Sequence, residues 1–455
     1  MTSNKFIWIL IGLVNFLLVY LLPSTFDNGD SILHYVEAHQ AWRTPHYFMD
    51  MWSKPVFILL ASPLASLGWY GMKLFNSLCA LGSIYAIKKI IEFWGYNGWF
   101  GLMLCFFSPY LFLAQSSGLT EPLFMLFLTW IVWLEHDNRS AISVSLLSFL
   151  PFIRSEGYIV IIIFLVYLLF TKKQRFIPYI LMGTVVYGVV GLFYYHDFFW
   201  MFNQNPYTGI EAKYGYGKSF HFIEQLPYVI GLPFFLLVAI GIIHFCLTLN
   251  TMLDPKLFFL LYGIPIGYII AHSIFWRFGL FHSFGLTRVL IVIIPLLAFI
   301  AIQGFEWLQN FLKFIPKRIL MMIYGIFVIV FPLTSSPMAI SKEDLSLHHQ
   351  QVLITQAYQW ISDAKLTVQP CYTNVFYYAM ISDKIIDNKT EIIELKKLLE
   401  KNHKTVSNAL ILWDSYFAQT DAQVSTRFIE NRLGARKIKE FQNNEGFRLI
   451  IYQTP

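Results

Sequence analysis

Apolar runs on the scale of a bilayer crossing, roughly 17–25 residues for a full span, recur from the N-terminus to about Thr334. That recurrence restricts the chain to a membrane architecture of helices, because a spanning segment must satisfy its own backbone polar groups. Composition agrees, with 56% hydrophobic and 13% charged residues against about 25% charged in a soluble domain. The net charge of +6 is not a nucleic-acid signal, since the basic residues sit at the ends of apolar runs. Three of the four cysteines lie inside such runs, and the set offers neither a disulfide framework nor a zinc spacing.

In order, the runs are Phe6 to Leu22, Trp69 to Ile87, Trp99 to Ala114, Leu123 to Leu134, Ala141 to Ile153, Gly157 to Phe170, Phe176 to Tyr195, Val229 to Thr248, Leu257 to Phe275, Val289 to Ile302 and Ile319 to Leu333. They predict a polytopic α-helical membrane protein of about eleven transmembrane helices. The first run lacks a clear small-residue cleavage pattern and reads as a retained span. Lys5, Lys88, Lys89, Arg139, Lys172, Lys173, Arg175, Lys256, Lys317 and Arg318 alternate onto one side, which predicts that side, and the N-terminus, to be cytoplasmic. Loops 24–68 and 196–227 then face outward, as does the tail.

The tail changes character. Residues 1–337 read as the transmembrane domain, and 338–455 as a small α/β domain of densely and almost evenly charged sequence. Ser346 to Ala364 has helical periodicity, and Ala409 to Trp413 reads as a buried strand. Arg436 to Phe441 and Phe447 to Gln453 flank Asn443-Asn444-Glu445-Gly446 as a hairpin. The two halves of the membrane part show no repeat of the transporter kind.

Chemistry gathers in the outward loops. The stretch Phe26 to His39 holds Asp27, Asp30, Glu37 and two histidines beside a membrane, where an acid costs several kcal/mol unless it faces water or a partner. On a helix starting near Asp30, the residues Asp30, His34 and Glu37 share one face. The structural alternative is a solvated loop with Asp27 or Asp30 as helix N-cap. Lys54, in Trp52-Ser53-Lys54-Pro55, is either a snorkelling interfacial lysine or a phosphate anchor. Glu121 follows Thr120 at a turn before a span, where Thr120 could cap the helix and Glu121 meet its dipole. The same geometry would aim that carboxylate into a cavity. Arg154 and Glu156 either contact substrate or simply pair with each other. The aromatic segment around Asn203 to Tyr207 suits an interfacial belt or a stacking face for a sugar or lipid. Arg288 runs directly into an apolar stretch and needs an anion.

These patches resemble a family. Asp30-Ser31-Ile32-Leu33-His34-Tyr35-Val36-Glu37 is similar to the Asp-Glu-x-x-x-Tyr-x-Glu first loop of mannosyltransferases that use dolichyl-phosphate-mannose. Trp-x-Lys-Pro resembles a motif of the lipid A aminoarabinose transferases. The Thr-Glu-Pro turn, the Arg-Ser-Glu-Gly junction, the Asn-Pro-Tyr loop and the late Thr-Arg follow in a similar order. Together they look like the GT-C superfamily of integral-membrane glycosyltransferases. The resemblance implies that Asp30 is the catalytic acid of the first outer loop and Glu121 the second acidic residue. Ser31 stands where the family has Glu, so Asp27 remains the other candidate for the base. Lys54 and Arg288 would hold the donor phosphate, and His34, Tyr35, Glu37, Arg154, Glu156 and Tyr207 would contact substrate. The implied partners are a polyprenyl-phosphate sugar and a glycan, lipid or protein acceptor, with no nucleic acid. No cofactor is implied, and the acids form no further ligand cluster for a metal.

The chemistry agrees with that reading. A general base deprotonates the acceptor hydroxyl while cations stabilise the leaving phosphate, and one in-line displacement inverts the anomeric carbon. Mannose is the first expectation for the sugar and an arabinose-type sugar the second. A transporter or flippase, or a non-catalytic component of envelope polysaccharide export, is the alternative. The expected location is the bacterial inner membrane, with the C-terminal domain periplasmic.

Overall fold

Proline sets where the apolar runs bend. The computed structural model describes residues 2–206, 214–251, 254–386, 388, 390–400 and 405–455. Every apolar run named above is helical, but several are broken. The run Trp99 to Ala114 splits into Gly98–Phe106 and Pro109–Ala114, because Pro109 has no backbone N–H to donate and drives Ser108 into an extended conformation. Pro151 likewise turns the end of the run after Ser140–Leu147 into a 3₁₀ segment. Among the described residues, four helical stretches are long and apolar enough to cross a membrane alone: Trp69–Phe93, Gln174–Tyr194, Lys256–Phe278 and Thr287–Phe311. Phe6–Leu21, Pro55–Ala65, Ser140–Phe152, Gly157–Phe170 and Leu232–Thr248 are apolar and shorter. The runs expected from sequence are therefore present as helices, while among the described residues these four combine the length and the apolar character of a full span.

The first helices are α1 (Thr2–Leu21), α2 (Asp30–Gln40), α3 (Pro55–Ala65) and α4 (Trp69–Phe93). α1 leaves Ile9, Leu13 and Leu17 exposed, and Phe193 stands out from the helix Met182–Tyr194. Large apolar faces of this kind belong in lipid. The chain is an integral membrane protein. At the centre, Thr287–Phe311 is almost wholly buried and lies against Leu232–Thr248. Their backbones meet so closely that a Cβ on Gly304 would come 2.1 Å from the Leu237 carbonyl oxygen, the small-residue contact that membrane helices use in place of a hydrophobic drive.

The tail forms a five-stranded sheet of order β2-β1-β3-β5-β4, with β1 Cys371–Tyr372, β2 Ile392–Ile393, β3 Leu410–Asp414, β4 Arg436–Gln442 and β5 Arg448–Gln453. β1 pairs in parallel with β2 and β3, and β5 is antiparallel to β3 and β4. The β4–β5 hairpin turns where Asn443 Oδ1 accepts from the amides of Glu445 (3.1 Å) and Phe447 (2.8 Å). The helix His349–Asp363 occupies the periodic stretch. This small unit rests on the segment around α2, at the end of the helical bundle where the acidic loop lies.

Candidate active site

α2 starts at Asp30 because Asp27 caps it from outside. Gly29 holds the N-cap position without a capping side chain, and Asp27 Oδ1 accepts from the amides of Gly29 and Ser31, each at 3.0 Å. The other carboxylate oxygen, Oδ2, is ion-paired with Arg288. Both oxygens of Asp27 are thus engaged. Asp30 pairs with the other arm of the same guanidinium through its Oδ2. Its Oδ1 has no hydrogen-bond partner among the described residues, and its side chain is 44% exposed, toward a cavity that it lines. Burial pushes the Asp30 carboxyl up, but Arg288, with His34 and Arg154, brings it below the ordinary carboxylate value. Asp27 goes the other way, raised by burial against the pull of Arg288 and further by the charge of Asp30.

Spacing put Asp30, His34 and Glu37 on one face, and the structure divides them by depth. Asp30 and His34 line the cavity, whereas Glu37 is buried behind them, 3.9 Å from His34 Nδ1. Burial and the charge of Asp50 hold the Glu37 carboxyl well above its usual range. The His34 ring stacks on Trp52 (4.7 Å between centroids), and burial lowers its pKa to about 3. Tyr35 points away from the cavity and meets Trp69 edge-on at 5.0 Å.

Lys54 ends a tight turn in which Asp50 Oδ1 accepts from the amides of Trp52 (2.6 Å) and Ser53 (2.8 Å). Its own backbone is left-handed, at φ 68°. A non-glycine residue pays about 1–3 kcal/mol for such a conformation, and such residues cluster at functional sites. The side chain enters the cavity and donates to Ser155 Oγ at 3.1 Å. Burial, opposed by Glu156 and reinforced by Arg154, brings its pKa down to about 8.

Glu121 opens the helix Glu121–His136 and is fully buried. Thr120 does not cap that helix with its side chain, contrary to the structural alternative drawn from sequence. Its hydroxyl accepts instead from Arg154 Nη1 (2.9 Å). Glu121 Oε1 lies 2.8 Å from Arg154 Nη1 and 3.4 Å from Arg288 Nε. Arg154 also grips Glu156 at 2.7 Å, so the Arg154–Glu156 pair exists but is not self-contained. Burial raises the Glu156 carboxyl, yet Arg154 and then His272 outweigh it and bring the pKa to about 2. The result is an alternating run of charge, Asp27, Arg288, Glu121, Arg154 and Glu156, with Asp30 on Arg288 and Lys54 alongside. Gly118 lets this happen: a Cβ there would sit 2.0 Å from the Ser31 carbonyl oxygen, so only glycine allows the Glu121 turn to press on α2.

Asp30, His34, Lys54, Glu121, Arg154, Glu156 and Arg288 line one cavity of about 590 Å³. Its other wall is apolar, with Tyr158, Ile162, Phe222, Phe275, Phe281 and Phe284. Ile162, Phe281 and Phe284 are also exposed on the outer surface, so the apolar wall continues onto the face where lipid would lie. Tyr207 lies outside the described residues, though its neighbour Asn205 lines the cavity. Sequence reasoning missed Ser155 and His272. His272 lines the cavity, and its Nε2 has no hydrogen-bond partner among the described residues. A lone histidine in the run Leu257 to Phe275 was the available signal. Among the described residues no group of three His, Cys, Asp or Glu side chains is arranged to hold a metal ion.

This fold, a helical membrane bundle with the cavity and the acidic loop at one end and a small sheet domain beside them, has solved counterparts. Two solved structures are similar over almost the whole chain: ArnT from Cupriavidus metallidurans in the apo state, with a TM-score of 0.62, and ArnT from the same organism bound to undecaprenyl phosphate, with 0.64. Each is 11% identical in sequence and is matched over 99% of this chain and 98% of its own. No protein-family model and no curated protein matches the sequence.

Proposed function

We propose that this protein is an inverting glycosyltransferase that moves a sugar from a polyprenyl-phosphate donor to an acceptor hydroxyl at the outer face of the membrane. The observation that carries the proposal is the single cavity with Asp30, Lys54, Glu121 and Arg288 on its polar side and an apolar wall leading to the lipid-facing surface. The similarity to an ArnT bound to undecaprenyl phosphate supports a lipid phosphate as the donor's leaving group. Residues 1–337 would be the transferring domain and 338–455 a separate outer domain. The helix Glu121–His136 supports that orientation. It carries Glu121 at the cavity and, at its far end, Glu135 paired with Lys173, so the basic residues expected to be cytoplasmic lie away from the site.

Asp30 is the better candidate for the base, because it keeps an oxygen open to the cavity while Asp27 is used twice over. Its lowered pKa keeps it ionised at neutral pH, ready to take the proton of the acceptor hydroxyl as that oxygen attacks the anomeric carbon. Lys54 and the arginines meet the charge that grows on the departing phosphate. Glu121 holds Arg154 and Arg288 in place, and the sugar lies between the two ends of the charged run. Mannose is the first sugar to test and an arabinose-type sugar the second. The decisive experiment is Asp30→Asn in purified protein with a panel of radiolabelled polyprenyl-phosphate sugars. Transfer should fall by about 10²–10⁴-fold, the usual worth of a general base, while donor binding persists. Near-normal transfer by that variant would remove Asp30 from the mechanism.

A further inference from the structure

We infer that the C-terminal domain is a positioning element of the site, acting through the acidic loop and not through any contact with substrate in the cavity; the inference rests on the proposed transferase reading. Among the described residues none that lines the cavity lies beyond Val289, so what the described part of the domain contributes must pass through something else. It passes through both ends of the α2 segment. At the near end Gln351, fully buried on the helix His349–Asp363, donates through Nε2 to Thr25 Oγ1 at 2.7 Å. The Thr25 hydroxyl in turn donates to the Asp27 carbonyl at 2.9 Å. The Thr25 carbonyl accepts from Ser31 Oγ at 2.6 Å, and Ser31 Oγ accepts from the Gly118 amide at 2.9 Å. At the far end Gln40, also buried, donates to the Lys384 carbonyl at 2.7 Å and accepts from the Ile386 amide at 3.3 Å. His39 Nε2 meets Asp383 Oδ1 at 2.9 Å.

Mere packing of one domain on another needs only apolar area. Buried amides with directed partners instead fix position, because each loses its hydrogen bond when the segment slides. Thr25 is the main connecting piece: it takes the hold of Gln351 and passes it to the backbone of Asp27, whose two carboxylate oxygens cap α2 and pair with Arg288. Gln351 Nε2 also lies 3.5 Å from the Asp27 carbonyl, and Asn28 donates to Gln350 Oε1 at 3.1 Å. A misplacement of about 1 Å in such a constellation can cost a hundredfold in rate.

The test uses the full chain in lipid nanodiscs with three single variants, Gln351→Ala, Thr25→Val and Thr25→Ser, and the double Gln351→Ala/Thr25→Val. Transfer from polyprenyl-phosphate mannose or polyprenyl-phosphate arabinose is followed at saturating donor, polyprenyl-phosphate affinity is measured separately, and amide exchange is read across residues 26–40. Gln351→Ala and Thr25→Val should each lower turnover about tenfold or more with polyprenyl-phosphate affinity little changed. The double should be no worse than either single, and Thr25→Ser should stay near wild type. Exchange over residues 26–33 should rise in the first two variants. Full turnover in both, a Thr25→Ser loss equal to that of Thr25→Val, or unchanged exchange would overturn the inference. If the wild type transfers neither sugar, the transferase reading fails for those donors, while the exchange measurement still decides whether the domain holds the loop.

Discussion

Glu121→Gln keeps the shape of a fully buried side chain and removes the carboxylate that lies between two buried arginines. Its Oε1 is 2.8 Å from Arg154 and 3.4 Å from Arg288. At an effective dielectric of about 20, those separations correspond to a gross attraction of about 6 and about 5 kcal/mol. Desolvation of the carboxylate takes back several kcal/mol. The usual cost of stranding one partner of a buried pair is about 3–5 kcal/mol. Here each arginine keeps another acid, Glu156 for Arg154 and the two aspartates for Arg288, which argues for the lower end, about 3 kcal/mol. SDS titration of the detergent-solubilised protein, followed by tryptophan fluorescence, measures this without any assumption about activity. A Glu121→Gln midpoint equivalent to less than about 1 kcal/mol from wild type, the value of an exposed pair, would refute the reasoning and mean that Glu121 is not the shared counter-ion.

Other outcomes follow from the same geometry. The Lys54 ammonium is present below its pKa of about 8 and lost above it, so affinity for polyprenyl phosphate should fall as pH rises through that region. Lys54→Met should bind more weakly at pH 7 and lose that step, which a binding titration from pH 7 to 9 checks. Gly118→Ala places a Cβ against the Ser31 carbonyl and should cost about 1–3 kcal/mol, as overpacking does, in the same SDS titration. It should also reduce transfer by moving Glu121 away from α2.

Much of the site was legible because its logic is local. The i, i+4, i+7 spacing of Asp30, His34 and Glu37 needs only a helix, and the helix begins where the acids suggested. The turn before Glu121, the arginine after the short span and the lysine before Pro55 were each visible as charges at the ends of apolar runs. What could not be read was which distant groups meet. Arg288 had to have an anion, but nothing in the chain says that Asp27 and Asp30, 261 and 258 residues away, supply it. Depth was equally hidden: periodicity gives a face, not how far into the protein it looks, so Glu37 and Tyr35 could not be separated from Asp30 and His34. The same holds for Thr120, which sits where a cap belongs yet gives its hydroxyl to Arg154, because a charged donor makes a stronger hydrogen bond than a backbone amide. For Asp27, which the sequence offers as a cap or as a base, the local turn geometry shows the cap and an added tie to Arg288.

The arrangement also poses a charge problem that the donor has to solve. With all groups ionised, the four acids Asp27, Asp30, Glu121 and Glu156 exceed the three cations Lys54, Arg154 and Arg288, so the site already carries one negative charge before a phosphate arrives. A second anion raises the pKa of neighbouring carboxyls, and the Asp27 carboxyl is already lifted by burial while Arg288 holds it down. Polyprenyl phosphate that competes for the Arg288 guanidinium weakens that hold. Binding below the Lys54 transition should therefore draw protons toward Asp27, and this uptake adds to whatever the phosphate, with its own second pKa of about 6, exchanges. Calorimetry in two buffers of different ionisation enthalpy reads the net proton exchange directly, and Asp27→Asn should shift it toward release while Lys54→Met leaves the Asp27 contribution in place. Net proton exchange equal in wild type and Asp27→Asn would mean that the phosphate does not share Arg288 with the acidic loop.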